Sequence, residues 1–348
     1  MSGTGLSVVI CCCNSAARIA ESLSYLQRQL CPAGLQWEVV LVNNASTDET
    51  MEIARQAWDE RPVAPMRIVS EQKAGLAYAR IAGVREAQYP YVSFIDDDNW
   101  VCESWVANVV AFFEQYPGVG AVGGLNSPVF EVEPPDWFGR FQRSYAVGPQ
   151  AAFVGDITWS HGVLSGAGLS VRVAAWQDLF EKGFLFTLLG RVGRQLLCGE
   201  DYELCLALRL AVWEIWYDTE LTLQHYIPRE RLSWKHLRKM VAGYGFVKYR
   251  LAAYGYGSDG GNPVEDDRWA VLFFKTLRKL CRFKAFKLIG SRFLDFEGDP
   301  DIIMVDVHIA AMKELLFMKG DYADYRQRIA LAEGNRSGGT LSRRTATP

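Results

Sequence analysis

A chain of 348 residues with 49% apolar and 22% charged side chains has the balance of a globular protein, long enough for one large domain and an appendage. No apolar run approaches the roughly 18 residues of a membrane-crossing helix, and no basic stretch precedes an apolar block at the start, so a soluble, cytoplasmic protein is expected. The net charge is only −3, yet residues 228–292 hold 15 Lys or Arg against 5 Asp or Glu, +10, which leaves −13 elsewhere and suggests different partners for the two parts.

The first half alternates strands and helices. Leu6–Cys13 is a β-rich apolar run, after which Asn14 or Ser15 caps a helix carrying Ile19, Leu23 and Leu26 on one face. Glu38–Val42 is a second strand, followed by the polar run 43–48 and a helix to about Trp58. Met66–Ser70 and Tyr91–Ile95 read as the third and fourth strands, with a helix over Leu76–Ala87 between them. This rhythm implies an α/β fold with a mostly parallel sheet and helices on both faces. Ligands bind such sheets at the carboxyl ends of the strands, so the polar clusters 14–15, 43–48, 71–73 and 96–99 are expected on one edge.

Trp105–Gln115 and Gly199–Ala211 read as helices, and Trp213–Tyr217 and Leu221–Tyr226 as two strands. Helix formers dominate from Leu232 onward. Along 268–292, Lys275, Arg278, Lys279 and Arg282 share one helical face, and Phe274, Leu277, Leu280, Cys281 and Leu288 the other. That pattern suits a peripheral contact with an anionic membrane surface, or packing on the main domain. The expected division is a domain over 1–227, a basic helical region over 228–330 and a disordered tail over 331–348. Eight cysteines show no CxxC or zinc-ligand spacing, and Cys11–Cys13 read as small buried residues. Gly118–Gly123 matches GxGxxG, but it follows a helix and enters a strand, so it reads as a glycine-rich turn and not as a dinucleotide site.

The chemistry concentrates at Ser93–Trp100, SFIDDDNW, where a buried-looking strand ends in three carboxylates. Asp96 and Asp98, on alternate positions, can offer oxygens to one hard cation, Mn²⁺ or Mg²⁺. A solvated acidic loop or a helix cap is the plainer reading.

Six segments in order resemble the family 2 glycosyltransferases, whose nucleotide-diphospho-sugar fold is called GT-A: LSVVICCCN at Leu6, VLVNNASTDET at Val40, EQKAGLAYARIAG at Glu71, FIDDD at Phe94, GAGLSVR at Gly166 and GEDYEL at Gly199. The resemblance implies a nucleotide-sugar site with Asn14, Asn43, Asp48, Gln72, Lys73, Arg80, Asp96, Asp97 and Gly166. It implies a metal on the donor diphosphate at Asp98, with Asp96 toward the ribose and His225 as a late contact. Asp201, beside Glu200, would be the general base of an inverting transfer to a glycan or polyprenyl-linked acceptor, in polysaccharide or cell-surface glycan synthesis at the inner face of the cytoplasmic membrane. Asn43 stands where the family usually has an acid, Cys13 where it has an aromatic and Ile81 where it has Asn, which leaves the nucleotide open. Arg229 and Arg231 are candidate diphosphate contacts, and Trp137, Phe138 and Trp159 form either an acceptor platform or core. A nucleotidyltransferase would need a Lys-rich loop after the first strand, and a non-catalytic glycan-binding scaffold would be expected to lack Asp98 or Asp201. No nucleic-acid partner is expected.

Overall fold

The computed structural model describes residues 3–190, 198–256, 268–283 and 296–334. In chain order they form β1 (Gly5–Cys12), α1 (Ile19–Leu26), β2 (Gln36–Asn43), α2 (Thr50–Asp59), β3 (Met66–Ser70), α3 (Leu76–Glu86), β4 (Tyr91–Ile95) and β5 (Asn99–Val101). Next come α4 (Trp105–Gln115), β6 (Val119–Phe130), α5 (Phe138–Phe141), β7 (Gly155–Asp156), β8 (Ser170–Arg172), α6 (Val173–Glu181), α7 (Glu200–Leu210) and β9 (Glu214–Ile227). The remaining helices are α8 (Trp234–Ala252), α9 (Trp269–Cys281), α10 (Pro300–Phe317) and α11 (Tyr322–Gly334).

The sheet runs β3-β2-β1-β4-β8-β6-β9-β5, with β7 on β9. Its first four strands are parallel, as the alternating pattern required: β1 lies between β2 and β4, and their apolar runs are buried on both faces. Beyond β4 the sheet is mixed, because the short β8 enters antiparallel to both β4 and β6. The two strands read at 213–226 are one strand, β9. Its register against β6 jumps from Gly123↔Tyr217 to Leu125↔Thr222, and this irregularity absorbs the polar residues 218–220. Gly124 sits in that jump, where a Cβ would fall 1.7 Å from the Leu221 carbonyl oxygen. The GxGxxG run therefore enters a strand, as its context indicated.

Two local expectations are corrected, and one open alternative is decided. Helix α1 starts at Ile19 without a side-chain cap: Arg18 stands at its N-cap, and the Ser15 carbonyl, not its hydroxyl, accepts the N–H groups of Arg18 and Ile19 (2.9 and 3.0 Å). Cys13 is exposed, unlike its buried neighbour Cys12, because the strand ends at Cys12. Trp137 and Phe138 are core, packed with Trp234 and Ile302 where α8 and α10 cover the second half of the sheet, whereas Trp159 is 75% exposed.

Helix α9 differs as well. It buries Leu272 and Thr276 and ties Trp269 Nε1 to the Leu315 carbonyl (2.6 Å), leaving Phe274 and Leu277 outside near the cations. The face that packs is therefore not the one the sequence pattern singled out, and Leu288 lies outside the described residues. The expected tail over 331–348 begins inside α11, which runs to Gly334, and the rest of it lies outside the described residues. Among the described residues no helix is long and apolar enough to cross a membrane.

Candidate active site

Parallel neighbours bring their carboxyl ends together, so the segments after β1, β2 and β4 meet above one edge of the sheet. Cys13, Asn44 and Asp96–Asp98 line a cavity of about 540 Å³ there, with Gly166, the start of α7, His225 and Arg231. Its far wall comes from α8 and α10, through Met240, Tyr244, Lys248 and Met304. Nothing in the sequence pattern marked that wall.

Two of the three adjacent carboxylates are separated by partners on different elements. Asp97 turns toward α1, where Arg18 Nη2 meets its Oδ2 at 2.7 Å and Ser22 Oγ donates to its carbonyl. Asp98 turns toward β9. Because β5 pairs with β9, Asn99 stands opposite His225, and this brings His225 Nε2 to 3.5 Å from Asp98 Oδ2. Arg231 Nη1, from the turn after β9, lies 3.0 Å from the same oxygen. Asp96 faces the cavity; burial, then the like charge of Asp98, pushes its carboxyl above the usual range, against the pull of Arg80.

Below them lies a buried ion pair. Arg80 is 2% exposed, with Nη1 3.4 Å from Glu200 Oε1 and its guanidinium over the Phe94 ring. Burial alone would lower its pKa, but Glu200, Asp201 and Asp96 around it reverse that. Gly166 rests directly on this guanidinium and donates its N–H to Asp201 Oδ2 (2.7 Å). The Tyr202 N–H holds Oδ1, so both oxygens of Asp201 are oriented. Burial pushes the Asp201 carboxyl up, with Arg80 and these N–H groups opposing, which makes it a stronger proton acceptor than an exposed aspartate.

The remaining candidates, Asn14, Asn43, Asp48, Gln72 and Lys73, do not line this cavity. Asn14, at φ +54°, accepts from the Thr47 N–H (2.8 Å), Asn43 accepts from the Ser46 N–H (2.9 Å), and Asp48 accepts from Ala16 and Thr50. These side chains knit the loops after β1 and β2 together. Gln72 and Lys73 are exposed, with Gln72 Nε2 bonded to Ser70 Oγ. Of the two adjacent asparagines it is Asn44 that reaches the cavity, while also bonding the carbonyls of Glu71 and Lys73 and the Gly75 N–H.

A site at this sheet edge, with strands ordered as here, defines the nucleotide-sugar transferase fold called GT-A. Solved structures agree on the fold: S. aureus TarS 1–349 in complex with UDP-GlcNAc (TM-score 0.51, 16% identity, covering 97% of this chain and 93% of that one) and GalNAc-T7 with UDP, GalNAc and Mn²⁺ (0.52, 15%, 95% and 59%). Residues 7–174 match the model of glycosyl transferase family 2 and belong to that family. Relatives include the glucosyl-dolichyl phosphate glucuronosyltransferase of Haloferax volcanii, 22% identical over 78% of this chain and 86% of that protein. The glycosyltransferase AglE of the same organism is 30% identical over 34% of this chain, and GlyA of Streptococcus pneumoniae 32% identical over 26%. The chain spans only 38% and 13% of the lengths of these last two.

Proposed function

We propose that this protein is an inverting glycosyltransferase that moves a sugar from a nucleotide-diphospho-sugar to a hydroxyl of a glycan or lipid-linked acceptor. The observation that carries the reading is the pairing, within one cavity, of an oriented carboxylate at the start of α7 with an acid, imidazole and guanidinium pole at Asp98, His225 and Arg231. Asp201 takes the acceptor proton as the hydroxyl attacks, and a single displacement with a single base inverts the anomeric carbon. Gly166 and Tyr202 aim that carboxylate, and the Arg80–Glu200 pair fixes the floor beneath it.

Asp98, Asp96 and His225 are the residues that would hold Mn²⁺ or Mg²⁺. The two carboxylates suit either ion, while the imidazole fits the softer Mn²⁺ better than Mg²⁺, and when bound the ion would neutralise the departing diphosphate. Among the described residues no three such side chains are gathered closely enough to grip an ion as they stand. Asp96 would also reach the ribose.

The acceptor hydroxyl would approach from the α8 and α10 side, where the wall is apolar and aromatic with Lys248 among it. A peripheral contact with the inner face of the cytoplasmic membrane belongs to the same reading. It is supported by Lys275, Arg278 and Arg282, which have no ion-pair partner among the described residues and flank exposed Phe274 and Leu277.

The test is a panel of UDP-, GDP- and dTDP-sugars, each followed by hydrolysis and by thermal shift with Mn²⁺. One of them should bind and turn over. If none does either, the reading fails.

A further inference from the structure

Arg231 stands at the point a cation would take. Its Nη1 lies 3.0 Å from Asp98 Oδ2 and 3.3 Å from His225 Nε2, and those two atoms are 3.5 Å apart. A guanidinium only donates, so both atoms accept from it with the lone pairs that would otherwise bind a metal. Arg231 and Asp98 are each 12% exposed, which leaves little water to screen a second positive charge beside the first. One seat, on this geometry, accepts one cation.

The main chain of the turn is anchored around Arg231. Tyr145 Oη donates to the Arg231 carbonyl (3.0 Å), the Arg229 N–H donates to Glu131 Oε2 (2.8 Å), and the Leu232 side chain is buried. With its backbone fixed at the mouth of the cavity, any departure of Arg231 from Asp98 falls to its side chain. A diphosphate offers several anionic oxygens to a planar fork of donors, a better match than one shared carboxylate oxygen.

We propose that Arg231 is a tethered counter-ion that competes with free divalent metal for Asp98 and His225, so that the protein takes up metal only together with a nucleoside diphosphate. The proposal rests on the reading of Asp98 and His225 given above. With the nucleotide present, its diphosphate draws the guanidinium away, and the vacated carboxylate and imidazole become available to the metal. Without it, the protein's own cation holds the seat.

Mn²⁺ binding to the full chain, followed by the electron paramagnetic resonance of the free ion, tests this with and without UDP or GDP. The wild type should bind Mn²⁺ at least tenfold more tightly with one of these nucleotides than alone. Arg231→Met keeps the apolar stem near Tyr145 and should bind Mn²⁺ alone at least tenfold more tightly than the wild type. Adding Asp98→Asn to it should abolish that gain, while its own affinity for the diphosphate falls. Equal wild-type affinity with and without nucleotide overturns the proposal, and this readout requires no variant. Nucleotide-dependent Mn²⁺ binding in the wild type with no gain in Arg231→Met overturns the competition and leaves the metal assignment standing. No Mn²⁺ binding under any condition overturns both.

Discussion

Gly166→Ala is the sharpest perturbation of the site's floor. A Cβ at Gly166 would lie 2.2 Å from Arg80 Nη2 and 3.2 Å from its Cζ. The guanidinium must therefore move by about 1.3 Å or more to restore van der Waals contact. It has nowhere easy to go, because Phe94 lies along its face and Glu200 holds Nη1. Overpacking costs about 1–3 kcal/mol, and loosening a buried ion pair adds to that, up to about 3–5 kcal/mol if the pair breaks. The expected loss is about 2–4 kcal/mol, read from the urea midpoint at unchanged m-value. Activity should fall further than stability, because the same glycine donates to Asp201. In an Arg80→Met/Glu200→Gln background the thioether tip can yield, so Gly166→Ala should there cost less than about 1 kcal/mol. A loss below about 0.5 kcal/mol in the wild-type background, or an equal loss in both, would refute the reasoning.

Asp201→Asn should lower transfer by about 10²–10⁴-fold while the affinity for the nucleotide sugar stays within a few-fold, measured by single turnover and calorimetry; a residual rate above a tenth of wild type would place the base elsewhere. Charge reversal of Lys275, Arg278 and Arg282 together should release the protein from anionic vesicles at low salt, each basic residue near such a surface contributing about 1 kcal/mol. Indifference of the wild type to those vesicles would remove the membrane contact from the proposal.

How much was legible depended on local signal. β3, β4 and α4 fall at the limits read from sequence because each is a self-contained apolar run between breakers. β8 has three residues and no pattern of its own, so its antiparallel entry, and with it the mixed half of the sheet, could be settled only by tertiary packing. The carboxylate triplet was readable as a site, but its partners were not. Arg18 and Arg231 answer Asp97 and Asp98 from separate elements, at sequence distances no spacing rule covers. The resemblance puts Asn43 at the family's acid position, but a motif match does not say which of two adjacent asparagines the loop turns into the cavity, and here it is Asn44.

Glu203 shows the same limit in the motif GEDYEL, where the resemblance assigns roles only to the neighbouring Glu200 and Asp201. It is fully buried, and it accepts from the N–H groups of Thr187 and Leu188, from the Thr187 hydroxyl and from Tyr254 Oη (2.9 Å). It thus joins α7 to the segment after α6 and to the residues following α8. Glu203→Gln turns an amide N–H₂ toward donors, at about 1–3 kcal/mol for each buried group left unpaired. The pH dependence decides between two opposing effects. Burial pushes the Glu203 carboxyl up and these hydrogen bonds pull it down, with burial dominant. A carboxyl whose folded pKa exceeds its unfolded one contributes stability that is fully present below the unfolded value, near 4.5, and is lost as pH rises through the folded value. Glutamine does not titrate, so the stability gap between wild type and Glu203→Gln should narrow from pH 4 upward in equilibrium unfolding. A gap that widens instead would mean that the donors outweigh burial and that the folded protein prefers the carboxylate.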